Sequence, residues 1–392
     1  MAPNSTRARP AKPAKPYSDF PLFPHATRRW AKKIRGRTHY FGPWDNPDAA
    51  LRKYLDQRDD LYAGREPRAG GDGITIRDVV NHFLTAKQRK LETGELQPKT
   101  FADYHACAGR LVAAFGASRP VDDLIADDFG VLRAQLAETR GPTALGNEIQ
   151  RIRTIFKYGY DAGIMEKAMR FGPEFVKPSQ KVIRQARHAK GARMFEPDQI
   201  RSIMKAASPS MKAMVLLGAN AAYGNTDLSK LPQTVLDLRM GVIDFPRPKT
   251  SIERRATIWS ETVKALREAI SVRPNPKNKD DAGLVFLTTR GLRFVRTNEK
   301  GTTTDTVCKE FGGLLDELKI KRPGLSFYAL RHTFRTVADE THDYPAIDRI
   351  MGHEDASTMA TRYRERIDDD RLRRVTDHVR EWLFGAGGAE RK

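Results

Sequence analysis

The chain has 392 residues, 39% of them hydrophobic, with 69 Lys and Arg against 49 Asp and Glu, a formal charge of +20 and a pI near 9.9. At roughly 150 residues per domain, the length predicts two or three domains, and the positive excess points to a polyanion, because each phosphate contact releases condensed counterions. Two cysteines, Cys107 and Cys308, exclude a disulfide framework or a cysteine-built zinc cluster and suit a reducing cytoplasm. No apolar run approaches the ~18 residues of a membrane span, and the basic, proline-rich N-terminus lacks the apolar stretch of a secretory signal.

Residues 1–19 read as a disordered basic tail. Residues 20–68 read as a small module. Residues 28–34 (RRWAKKI) and 38–42 (THYFG) are predicted strands around a turn at Gly36, and Pro47 opens a helix. Arg28, Arg29, Lys32 and Lys33 make the first strand a candidate DNA surface; a solvated basic hairpin is the other reading. Residues 65–73 are a linker by composition. Residues 74–176 read as an all-helical domain. Ile76, Val79, Val80 and Phe83 share one helical face, and Asn147, Ile149, Ile152, Ile155 and Phe156 recur at the same spacing. Residues 177–191 form a second linker, rich in Lys and Arg. Lys181 and Arg184 within it could lie along a DNA backbone.

From residue 190 to about 385 the pattern is mixed. Pro197 opens a helix at its first turn, and residues 211–222 form a nearly apolar, hence buried, helix. Short strands are predicted at 236–238, 242–245 and 256–259. The final helix places Leu372, Val375, Val379 and Leu383 on one face, where they close their own domain or pack on a neighbouring protomer. The fold class expected is multidomain and mainly α with a small β component: a helical domain followed by an α-rich mixed α/β domain.

Four positions carry chemistry. Arg331 lies in Leu330-Arg331-His332-Thr333-Phe334, His353 follows Gly352, and Tyr363 comes ten residues later. An arginine and a histidine can hold a phosphate while a tyrosine hydroxyl attacks it. Gly352 can end a helix in a left-handed turn and so aim His353 into a cleft. Lys249 sits in a Lys-Thr pair between two predicted strands, where an ammonium could protonate a departing oxygen. Other reaction classes find no motif: there is no phosphate-binding G-x-x-x-x-G-K-[ST] loop and no H-E-x-x-H pair. No metal and no cofactor is called for.

The order Arg331, His353, Tyr363, with Lys249 upstream, resembles the tyrosine recombinases of phage integrase type. The specific motifs span roughly residues 215–366, and the N-terminal parts are similar in architecture only. The resemblance implies a small N-terminal DNA-binding module, a helical core-binding (SAM-like) domain and a tyrosine recombinase catalytic domain. It implies a clamp on double-stranded DNA, a homotetrameric synapse, and cleavage by Tyr363 through a covalent intermediate, for DNA integration or recombination of a mobile element. In its terms Arg331 clamps the phosphate, His353 binds it or shuttles a proton, and Lys249 is the general acid.

Two family positions differ. Where the first catalytic arginine is expected, three residues before the acid, the chain reads Tyr223-Gly224-Asn225-Thr226-Asp227-Leu228, with Gly224 in its place. Tyr328 stands where a histidine is expected. A guanidinium on a transferring phosphoryl group is worth roughly 10³–10⁵ in rate, so the gap bears on function. Arg247, two residues before Lys249 on the same strand face, is the expected replacement, with Tyr328 and Asn225 as neutral auxiliary donors. The alternative is a weakened or inactive recombinase-like protein that binds DNA without cutting it. RNA binding rests on net charge alone.

Overall fold

The computed structural model describes residues 12–64, 73–298, 301–353 and 366–385. The chain divides into two compact units, residues 1–186 and 187–392. No described helix is long and apolar enough to cross a membrane.

The first unit carries two apolar cores. One lies under an antiparallel sheet in the order β1 (Phe23–His25), β2 (Arg29–Ile34), β3 (Arg37–Pro43). Arg35 and Gly36 both take positive φ, 49° and 84°, as a tight two-residue hairpin of the right twist requires. The sheet buries Trp30, Ile34 and Phe41 against α1 (Pro47–Ala63). Arg28, Arg29 and Lys33 remain exposed. The strands and helix agree with the sequence reading, and β1 is an addition, too short to show a period.

The second core is enclosed by α2 (Ile76–Glu92), α3 (Pro98–Phe115), α4 (Ala126–Thr139) and α5 (Pro142–Asp161). Thr75 and Asp78 cap α2 reciprocally. Glu148 of α5 is only 2% exposed and is met by Arg110 Nε at 2.7 Å and Arg151 Nη1 at 3.4 Å.

The basic linker is not extended: Gln180–His188 form a helix, α6, none of whose residues is buried. Its Lys, Arg, Gln and Ala residues are good helix formers, Ser179 caps it from Oγ to the Val182 N–H at 3.4 Å, and Gly191, at φ 74°, follows its end.

In the second unit, α7 (Pro197–Ala206) leads into α8 (Pro209–Ala221), which is buried along nearly its whole length. A Cβ on Gly218 would meet Leu330 Cδ1 at 2.9 Å, so glycine sets how closely α8 and the helix bearing Arg331 approach. A short α9 (Asn225–Ser229) follows, then a sheet of β4 (Leu236–Asp237), β5 (Val242–Asp244) and β6 (Arg255–Thr257). Next come α10 (Ser260–Ser271), a polar hairpin β7 (Val295–Thr297) and β8 (Thr303–Asp305), α11 (Thr306–Glu317), α12 (Ala329–Ala338), α13 (Tyr344–Met351) and α14 (Asp369–Phe384).

Buried Asn220 ties α8 to the sheet. It donates to Thr257 O at 3.0 Å and accepts from the Trp259 N–H and the Thr262 hydroxyl. The apolar face of α14 is buried in its own unit through Leu372, Val375, Val379 and Leu383, and the Trp259 indole donates to Thr376 O at 2.8 Å. Of the two readings of this helix, the structure shows the one that closes its own domain.

Candidate functional site

Four loops of the second unit converge. Helix α8 ends at Ala222 in a left-handed residue, φ 57°. The turn Tyr223–Gly224 follows, and Asp227 Oδ2 accepts the Gly224 N–H at 3.0 Å at the start of α9. The loop between β5 and β6 carries Arg247, Lys249 and Arg254. Helix α12 opens with Arg331 in its first turn. Helix α13 ends at Gly352, φ 62° and ψ 46°, the left-handed cap expected from the sequence, and His353 comes next.

Arg331 is 3% exposed. Its Nη1 donates to Ala222 O at 2.6 Å and its Nη2 to Met351 O at 2.7 Å, so one guanidinium serves the carbonyl ends of two helices. Nη2 also lies 2.7 Å from His353 Nε2. An arginine only donates, so Nε2 accepts and the proton of neutral His353 is on Nδ1, which faces Asp348 Oδ1 at 3.9 Å. Burial first, then Arg331 and Arg247, push the His353 pKa down to about 4. Burial first, then Arg247, lower that of Arg331 to about 10. The site therefore resists its own positive charge.

Arg247 backs this cluster. Its carbonyl closes the hairpin by accepting from Thr250 and Ser251. A Cβ on Gly352 would lie 3.1 Å from Arg247 Cβ, which puts Arg247 against the turn that carries His353. Lys249 is exposed near the hairpin tip. Tyr328, at the N-cap of α12, lies at the rim, its ring 3.7 Å from where a Gly224 Cβ would stand. The structure does not bring Asn225 into the cluster: its amide donates to Asp305 Oδ2 at 2.7 Å and to Cys308 Sγ at 3.1 Å. Tyr363 lies outside the described residues. Lys181 and Arg184 are exposed on α6.

Arg254 is a residue the sequence reading passed over. It is 0% exposed. Its Nη1 pairs with Asp227 Oδ2 at 3.0 Å, its Nε donates to Phe245 O at 3.0 Å, and its Cζ sits 3.7 Å over the Tyr223 ring. A signal was available. Residues two apart share a strand face, so Arg254 leads into β6 on the side of buried Ala256, whereas Arg255 turns outward to Asp369 and Asp244. Three guanidiniums, Arg247, Arg254 and Arg331, thus converge with a histidine, and Asp227 is the acid that pairs directly with one of them. Such an arrangement is built to hold an anion.

Residues 193–369 match the phage integrase family. No curated protein matches the chain. Among solved structures, the chain is similar to the Tn1549 transposon integrase in complex with circular intermediate DNA, at TM-score 0.54 and 17% identity over 78% of this chain and 100% of that one. It is also similar to a lambda integrase tetramer bound to a Holliday junction, at TM-score 0.55 and 12% identity over 90% of this chain and 97% of that one. Residues 193–369 thus carry the match to the phage integrase family, and the fold is the one that these integrase structures share.

Proposed function

We propose that the chain is a site-specific DNA recombinase or integrase that cleaves and rejoins duplex DNA through a 3′-phosphotyrosyl bond to Tyr363. The observation that carries this reading is the surplus of positive charge, buried at Arg331 and Arg254 and half-buried at Arg247, beside His353. A scissile phosphodiester supplies the missing negative charge, and the charge building on its non-bridging oxygens strengthens every contact. Arg331 then redirects Nη2 from His353 to the phosphate. The freed, neutral His353 Nε2 takes the Tyr363 proton as the phenol oxygen bonds to phosphorus. The bond from phosphorus to the 5′ oxygen breaks, and Lys249 protonates that oxygen. The reverse sequence, with a 5′ hydroxyl of another strand, rejoins the DNA.

The preceding parts position the duplex. Arg28, Arg29, Lys32 and Lys33 on the N-terminal sheet, and Lys181 and Arg184 on α6, contact phosphates and set register rather than sequence. The similar lambda integrase tetramer bound to a Holliday junction supports a homotetrameric synapse, and we place the reaction in the cytoplasm. Gly224 and Tyr328 favour the second reading, a protein that binds without cutting. Covalent capture separates the two. Full-length protein is incubated with nicked duplexes from its own source, denatured, and assayed for attached DNA beside Tyr363→Phe. An adduct lost in the variant supports cleavage. Tight duplex binding with no adduct on any fragment supports the second reading.

A further inference from the structure

We propose that Arg254 is the second phosphate-binding guanidinium of this site, delivered from the β5–β6 loop to the Asp227 corner that Gly224 leaves without a side chain. The assignment rests on the recombinase reading and deepens it.

Asp227 Oδ2 locates the corner. It accepts the Gly224 N–H at 3.0 Å and Arg254 Nη1 at the same distance, 3.0 Å. The guanidinium therefore shares its acid with the residue whose side chain is missing. Two of its nitrogens are fixed, Nη1 by Asp227 and Nε by Phe245 O, and the Tyr223 ring at 3.7 Å holds its plane. The third nitrogen, Nη2, is fully buried and has no partner among the described residues. An unmet charged donor in a protein interior is costly, and it is tolerated where a ligand completes it. Its neighbourhood says which ligand. A Cβ on Gly352 would stand 3.4 Å from Arg254 Cδ, so the Arg254 side chain lies against the turn that presents His353. A donor oriented by an acid, in an interior already crowded with cations, suits an oxyanion.

Arg247, the replacement expected from the sequence, is placed differently. Arg247 stands at the front of the loop with no acid bonded to it among the described residues, whereas Arg254 has the acid, the stacked ring and the unpaired N–H. Arg247 adds field; Arg254 adds a directed bond.

The experiment compares single-turnover adduct formation at saturating nicked duplex. Arg254→Gln should lower the rate by about 10²–10³-fold with DNA affinity unchanged within about threefold. Arg254→Lys keeps the charge and the Asp227 partner but loses the fork, and should remain at least tenfold slow; it serves if the glutamine variant fails to fold. The decisive variant is Gly224→Arg in the Arg254→Gln background. Gly224 has an ordinary φ of −97° and its nearest atoms to an added Cβ are 3.6 and 3.7 Å away, so a Cβ is accommodated there without a clash. It should restore at least a tenth of the wild-type rate. A folded Arg254→Gln within threefold of wild type, or no rescue by Gly224→Arg, overturns the assignment. If the wild-type chain itself forms no adduct, the recombinase reading falls and Arg254 is judged by inorganic sulfate: a thermal stabilisation present in wild type and lost in Arg254→Gln keeps the anion site, and equal stabilisation of both rejects it.

Discussion

Buried charge is handled in opposite ways at two clusters, one in each unit. In the helical part of the first, one buried acid, Glu148, meets two arginines, Arg110 and Arg151, whose side chains remain 38% and 30% exposed. The cluster is satisfied within the fold, and water screens the surplus base. In the second unit, among the described residues, two buried bases, Arg254 and Arg331, lie near one buried acid, Asp227, and an Arg254 N–H is left unpaired. Removing ions from water costs several kcal/mol each unless partners offset it. A balanced cluster holds a fold together; an unbalanced one is kept for something that arrives later.

The largest expected effect lies at the unbalanced cluster. Arg331→Gln should slow single-turnover cleavage by about 10³-fold or more, and a change below tenfold would make Arg331 a helix-capping group only. The second effect concerns stability. If the arginines do not hold the second unit together, its apolar core must. Leu372→Ala in α14 should cost about 2–5 kcal/mol in denaturant unfolding; a cost under 1 kcal/mol would mean that α14 is weakly docked on its own unit. Third, Glu148→Gln should cost about 1–3 kcal/mol, seen as faster hydrogen exchange in α3 and α5, with the adduct rate unchanged. A loss of chemistry there would erase the contrast between the clusters.

The smallest effect is a pH dependence. His353 titrates near 6.5 when unfolded and is pushed down to about 4 in the fold. Between those values the unfolded chain binds the extra proton, so stability falls as pH drops from about 6.5 to 4 and levels off below. The side chain is 39% exposed, so screening keeps the slope shallow. His353→Gln should flatten that part of a thermal-midpoint profile, and sulfate should bind more tightly toward pH 5, because the anion raises the pKa and draws in a proton. An unchanged slope in the variant would place the titration elsewhere.

Much of this was legible in the sequence because local patterns carried it. Pro47 and Pro197 at helix starts, Gly36 at the hairpin and Gly352 at the helix end each impose a backbone requirement that few residues meet. Arg331 and His353 were found by their order along the chain, and the structure brings them to 2.7 Å. What escaped depended on distant partners. The hairpin β7–β8 is threonine-rich and shows no apolar alternation. Helix α6 was hidden by the charge that marks linkers. Arg254 was overlooked because arginine in a basic loop reads as solvated, and only the approach of Asp227, 27 residues away, makes it an interior group. Asn225 was placed in the cluster by proximity in sequence, yet its amide turns to Asp305.

The central claim is that the surplus charge serves a phosphate attacked by Tyr363. The most direct test is to trap the adduct on a nicked duplex, digest the protein and locate the nucleotide-bearing peptide by mass spectrometry. A nucleotide is expected on Tyr363, absent from Tyr363→Phe and scarce in Arg331→Gln. A nucleotide on Tyr328 or Tyr344, or an adduct that persists in Tyr363→Phe, would contradict it.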